Sequence, residues 1–246
     1  GIIIGVSAVI TMVTMGDGTT EAVKKQISDL GSNLLMLRPG VGFGPRSSSA
    51  GVPKFSETDV EAIANQISGI AAVAPVRSVS MSTIYRQEAR SSQVTGTSID
   101  YFDINKWIIE EGRIFSDDEV QRGDAVAVIG DTVREELFGT EDPIGKKIRV
   151  GQASLQVIGL LKAKGQVGMG DQDDTIIVPL ATMQRRLGGK SSARDISQIS
   201  ISAEDDADSD RLISEISLLM RQRRNLQSNQ ADDFNVFDTR QIAETL

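Results

Sequence analysis

The chain has 246 residues, a formal net charge of −8 and only 4% aromatic residues. It contains no cysteine and no histidine, which excludes a disulfide framework, thiolate catalysis, Cys-based metal sites, Ser-His-Asp chemistry and most transition-metal sites. The acidic balance and the lack of a basic stripe exclude phosphate-driven nucleic-acid binding and argue against a body lying flat on anionic lipid.

The first 15 residues read GIIIGVSAVITMVTM, without a charge. Ile2, Ile3, Ile4, Val6, Val9, Ile10, Met12 and Val13 leave no polar stripe, and a helix that is apolar all round sits in lipid or in a protein core. The run is shorter than the roughly 20 residues that cross a bilayer. It also lacks the basic n-region of a signal peptide. We read it as the outer end of a membrane helix, with a buried core helix as the alternative. Residues 19–30 follow as an amphipathic helix with Val23, Ile27 and Leu30 on one face and Gly31 as its C′ residue. Residues 1–30 then form a stalk, bent or loosened around Gly16-Asp17-Gly18, and its three apolar residues face a stalk neighbour to couple the membrane to the domain.

Residues 33–38 predict a short strand. Residues 39–53, PGVGFGPRSSSAGVP, predict an exposed loop. Ser56 opens a helix with Asp59 in an acidic variant of the capping box, and Val60, Ile63, Ala64 and Ile67 form its buried face. Strands are expected over 73–86 and 92–96, with an imperfect alternation that leaves their register open. Residues 99–195 have a different texture and predict a mostly β insertion. Its strands fall at 125–129, 147–150, 154–161 and 175–178. Its helices fall at 132–138, stopping at Gly139, and at 180–187, stopping at Gly188-Gly189. Residues 196–238 repeat the order of 31–98. A strand at 196–202 leads to a helix capped within 205–209, with a stripe of Leu212, Ile216 and Leu219, and then to a strand at 234–237. Arg221, Arg223 and Arg224 end that helix, where cations suit the macrodipole. The predicted class is α+β: two β-α-β units, 31–98 and 196–238, packed as one body with a helix layer on a sheet, with 99–195 inserted and 239–246 returning to the membrane.

Several motifs fail on inspection. Gly40, Gly42 and Gly44 have GxGxG spacing, not the dinucleotide fingerprint, and fit a loop. GTEDPIGKK (139–147) has five residues between its glycines and no Ser or Thr after its lysines, so it reads as a turn. Asp171, Asp173 and Asp174 run straight into a strand, which fits a solvated charge cluster better than a calcium loop. Glu204, Asp205, Asp206, Asp208 and Asp210 suit a helix N-terminus. Glu110, Glu111, Asp117, Asp118 and Glu119 could supply paired carboxylates for glycoside chemistry, but Tyr101, Phe102 and Trp107 are the sole stacking surface nearby, and a solvated turn is the simpler reading. Arg221, Arg223 and Arg224 fit an exposed helix end or a docking patch for an acidic partner. Phe43 and Arg46 in 39–53, and Met169 in the glycine-rich stretch 165–173, are candidate docking or gating tips.

Taken together, GIIIGVSAVITMVTMGDG with ISDLGSNLLMLRPG, GTSIDYFDINKWIIEEGRIFSDDE, VAVIGDTVREELFGTEDPIGKKIRV, LQVIGLLKAKG and IIVPLATMQRRLGG resemble the extracytoplasmic domain of MacB-type ABC transporter permeases. Tyr101, Gly112, Arg113 and Phe115 fall in the family's pattern, and the resemblance covers essentially the whole chain. It implies a porter-like subdomain built of the two β-α-β units and a largely β second subdomain. It implies an inner-membrane homodimer with this domain on the periplasmic side, meeting a MacA-type adaptor and, through it, a TolC-type outer-membrane channel. Macrolides or peptides would be expelled, a route to antibiotic resistance. It implies no catalytic, cofactor or metal site in this chain, because ATP and Mg belong to a cytoplasmic nucleotide-binding domain outside it. A mechanical coupler needs rigid elements joined by bendable ones and no catalytic constellation. Lipoprotein-releasing permeases and FtsX-like activators have similar architecture. The lipoprotein-releasing type is the main alternative, and a membrane-tethered hydrolase working with the carboxylates at 110–119 is a third.

Overall fold

The computed structural model describes residues 34–40, 51–167, 170–188 and 195–239. Its first unit runs β1 (Leu34–Pro39), α1 (Glu57–Gln66) and β2 (Ile70–Tyr85). Its last runs β11 (Gln198–Ala203), α6 (Ser209–Arg223) and β12 (Phe234–Asp238). The two units interleave. β1 is antiparallel to both β12 and β11, and β11 is antiparallel to β2. Each unit therefore supplies strands that lie between those of the other.

Local chemistry explains both helices. The Ser56 N–H donates to Asp59 Oδ2 at 2.8 Å, closing the predicted capping box. Asp208 caps α6, its Oδ1 accepting from the N–H groups of Asp210 and Arg211 at 3.0 and 3.3 Å. The buried stripe of α6 is Leu212, Ile216 and Met220, in steps of four. Leu219, expected in that stripe, is half-buried at its edge. On α1 the buried alanine is Ala62; Ala64 faces solvent. These stripes meet Leu35, Leu37, Ile199, Ile201 and Phe234 in one core. Leu34 and Met36 alternate to the opposite sheet face, where Ile104 and Tyr101 cover them.

Between the two units come β3 (Glu88–Thr97), α2 (Asp100–Ile104), β4 (Ile109–Gly112), α3 (Asp117–Arg122), β5 (Val126–Ile129) and α4 (Asp131–Phe138). Then follow β6 (Lys147–Val150), β7 (Ala153–Leu161), β8 (Gln166–Val167), β9 (Gly170–Asp171), β10 (Thr175–Pro179) and α5 (Leu180–Thr182). The expected helix over 180–187 continues past α5 as a π-helical turn, Met183–Leu187. β2 and β3 form a long hairpin paired from Val76↔Thr97 to Tyr85↔Glu88, turning at Arg86, whose φ is +54°. This settles the register that the sequence left open. The far half of that hairpin enters a closed ring of pairings. β3 pairs β10, β10 pairs β5, β5 pairs β7, β7 pairs β6, and β6 returns to β2 at Thr83 and Ile84.

Val126–Ile129 and Ile176–Pro179 are buried throughout. Each takes part in a parallel pairing, and strands covered on both faces lose the polar alternation. Ala127, Ile129, Leu155, Val157, Ile176 and Val178 face a core closed by Val133, Leu137 and Met183. Val128, Ile158 and Ile177 face a second cluster with Phe102 and Phe115.

Candidate functional site

The stalk residues Val23, Ile27 and Leu30, and the tip residues Phe43, Arg46 and Met169, lie outside the described residues. The three arginines at the end of α6 are described, and all three are engaged inside the fold. Arg221 pairs with Asp232 and donates to the carbonyl of Gln227. Arg223 Nε meets Asp59 Oδ1 at 2.6 Å, tying α6 to the cap of α1. Arg224, whose side chain is 10% exposed, pairs with Asp233 at 2.7 Å and donates to the Pro53 carbonyl. Its guanidinium also lies 4.7 Å from the ring centre of Phe55 and 5.7 Å from that of Phe234. The geometry of all three is that of internal struts. A docking role would have to compete with these partners.

The carboxylates at 110–119 do not converge. Glu110 and Glu111 are exposed on β4, whereas Asp117, Asp118 and Glu119 open α3. Glu119 is buried and holds Arg113 with both oxygens, at 2.7 and 2.9 Å. It also accepts from the Ser116 N–H at 2.8 Å. These donors, Arg113 first, hold its carboxyl down at about 2. The segment expected as a solvated turn is thus a capped helix locked by an ion pair.

Asp173 and Asp174 also differ from the expected solvated cluster, whereas Asp171 is exposed. Asp173 is buried, and its two oxygens accept from the N–H groups of Lys164 and Gly165 at 2.9 and 2.8 Å. Asp171 accepts from the Asp173 N–H at 2.9 Å and from the Thr132 hydroxyl at 2.8 Å. Asp174 meets Arg90 at 2.8 Å, and Arg90 reaches Glu136 at 2.6 Å. A Cβ on Gly130 would stand 2.2 Å from the Asp173 carbonyl oxygen, so this turn packs directly on backbone. Among the described residues no group of three or more acidic side chains is arranged to hold a metal ion.

The four residues that carry the family pattern serve packing. Gly112 has φ +77° and lies where a Cβ would meet the Ile158 carbonyl oxygen at 2.2 Å. Arg113 is the partner of Glu119. Phe115 is buried and meets Phe102 edge-on, with ring centres 5.3 Å apart. Tyr101 sits under the sheet, and burial pushes its phenol up to about 12. The sequence reading passed over Arg38, Arg90 and Lys164. The solitary tryptophan, Trp107, was the one available signal for this region, since Lys164 Nζ lies 4.0 Å from its ring centre. Among the described residues no helix is long and apolar enough to cross a membrane.

The sequence model of the MacB-like periplasmic core domain matches residues 1–219. The protein named macrolide export ATP-binding/permease protein MacB of Bdellovibrio bacteriovorus is 40% identical over all of this chain, which spans 38% of that relative. The protein of the same name in Rhodospirillum rubrum is 37% identical over 99% of this chain and 36% of its own length. The chain therefore corresponds to less than half of these relatives. The periplasmic region of MacB from Actinobacillus actinomycetemcomitans superposes with a TM-score of 0.75 at 22% identity, covering 91% of this chain and 97% of that one. The extracellular domain of YknZ, a noncanonic ABC-type transporter of Gram-positive bacteria, gives 0.67 at 22% identity over 83% of this chain and 100% of its own. At that identity the two structures establish the shared fold. With the family match running over most of the sequence, the chain belongs to the MacB-like periplasmic core domain family.

Proposed function

We propose that this domain couples cytoplasmic ATP hydrolysis to periplasmic movement in a homodimeric inner-membrane ABC exporter, and that it catalyses nothing itself. The observation that carries this reading is the identity with proteins named as macrolide export ATP-binding/permeases, which extends over the full chain and reaches 40%. ATP and Mg then act in a domain that this sequence does not include. The periplasmic side meets a MacA-type adaptor that leads to a TolC-type channel, and a small molecule or peptide is the cargo. Residues 31–98 with 196–238 act as the porter-like subdomain and 99–195 as the inserted one, joined through β2 and β3. The names of the relatives support this reading over release of lipoproteins.

The test is export by the full-length protein in cells carrying its adaptor. Replacing Val23, Ile27 and Leu30 together by Asn is expected to abolish export of the cargo while ATPase activity persists. Export that continues unchanged would refute the coupling role of the stalk. Nucleotide turnover by the purified 246-residue chain would refute the non-enzymatic assignment.

A further inference from the structure

The hairpin of β2 and β3 carries hydroxyls on both faces, and the two faces treat them differently. On one face Ser78 pairs with Thr95 and Ser80 with Ser91, each at 2.9 Å. On the other stand Thr83 and Ser92, 0% and 1% exposed. Thr83 lies across from Val150 of β6, and Tyr85, Val94 and Val150 belong to the ring core. Neither hydroxyl has a hydrogen-bond partner among the described residues.

Two further unpaired atoms lie with them. Arg90 stands directly across the hairpin from Thr83, and Ser92 follows two residues later on the same face of β3. The parallel register of β10 with β3 begins at Thr175↔Gln93, which sets Asp174 beside Ser92. Arg90 commits Nη1 to Glu136 and the Thr132 carbonyl, at 2.6 and 3.3 Å, and Nη2 to Asp174 Oδ2, at 2.8 Å. Its Nε and the second Asp174 oxygen, Oδ1, are buried without a hydrogen bond to any described residue.

These four atoms are complementary to one kind of guest. Arg90 Nε only donates, Asp174 Oδ1 only accepts, and each hydroxyl can do either. An anion would meet Asp174, and a cation would meet Arg90. An apolar guest would leave all four unpaired, at the desolvation cost of each. The set selects a small neutral molecule that donates and accepts at once, the usual occupant of such a buried polar site being water.

We propose that one ordered water is built into the ring at this point. It accepts from Arg90 Nε and from one hydroxyl, and donates to Asp174 Oδ1 and to the other hydroxyl, which fills both its donor and both its acceptor positions. It bonds β2, β3 and the start of β10 to one another where their side chains do not meet directly. The proposal goes beyond the export reading and rests on the ring alone.

Oxygen-17 magnetic relaxation dispersion on the purified chain counts long-lived waters and does not sense exchanging hydroxyl protons. The Thr83→Val/Ser92→Ala double variant is expected to hold one long-lived water fewer than the parent, and Thr83→Ser to hold the same number. Stability gives a second readout through its sign. A hydroxyl that bonds the water is lost at a cost, so Thr83→Val and Ser92→Ala should each lower the urea midpoint. A hydroxyl that is simply orphaned is better replaced by the methyl of a near-isosteric valine, and Thr83→Val would then raise it. Equal water counts in the parent and the double variant, or a raised midpoint in Thr83→Val, would overturn the proposal. Neither readout depends on ATP or export, so failure here leaves the coupling role standing.

Discussion

The helix-backed half and the ring of strands are built from very different separations along the chain. The first core joins Leu35–Ile67 to Ile196–Phe234, so its two sides meet across the whole insertion. The ring core lies within Tyr85–Met183. The ring therefore needs shorter loops to close, and the helix-backed half is assembled from ends that the ring brings together. Loop closure grows costly only slowly with length, but long separations slow folding. The difference teaches that the ring draws its core from one continuous stretch of chain, although β2 belongs to both halves.

The largest effects should come from the two cores. Leu155→Ala in the ring and Ile216→Ala in the helix layer each remove a fully buried side chain and should cost about 3–5 kcal/mol. Because β2 runs through both halves, urea unfolding followed by far-UV circular dichroism and by Trp107 emission should shift as one transition in both variants. Two separated transitions would break the link between the halves. Next comes a pair of half-buried arginines. Arg90→Met leaves the half-buried Asp174 without its partner in the ring, Glu136 being exposed to solvent, and should cost about 3 kcal/mol. Arg224→Met strands Asp233 but keeps apolar contact with Phe55 and Phe234, so about 2 kcal/mol is expected. Chemical denaturation at matched pH decides whether the ordering holds.

A smaller loss, about 1 kcal/mol, is expected for Glu119→Gln, which weakens the cap of α3 and its bond to Arg113. The Glu119 carboxyl lies near 2 in the folded chain, against an ordinary 4.5. A depressed carboxyl stabilises fully above the unfolded value and stops doing so as pH falls through the folded one. The difference between parent and variant should therefore hold above pH 4.5 and vanish as pH drops toward 2. The smallest effect belongs to Leu218, 70% exposed on the outer face of α6. Leu218→Gln should change stability by less than about 0.5 kcal/mol. A larger loss would mean that this face of the helix layer is covered in the purified chain.

The elements that could be read from the sequence are those whose signal is local. Ser56 and Asp59 sit three apart, and the box closes. Gly139 ends α4 where expected, and its N–H returns to the Glu135 carbonyl. Leu212 and Ile216 mark the face of α6. What could not be read depends on partners far away in sequence. Nothing in residues 147–150 announces that this strand joins β7 to the end of β2. The three arginines closing α6 look free until Asp59, Asp232 and Asp233 are placed beside them. Asp173 looks solvated because its acceptors are filled by backbone N–H groups that carry no sequence identity. One signal was present and passed over: Ser116 and Glu119 have the same spacing as Ser56 and Asp59, in the capping-box order of Ser followed by Glu. The density of acidic residues there suggested water rather than a helix start.

The length of β2 has a mechanical consequence. At 16 residues it extends for about 50 Å, and one of its edges is held by β11 near its start and by β6 near its end. Tension applied between the two halves runs along this strand rather than across it. Its ladders are then loaded in shear, where many backbone hydrogen bonds share the force, instead of being peeled one at a time.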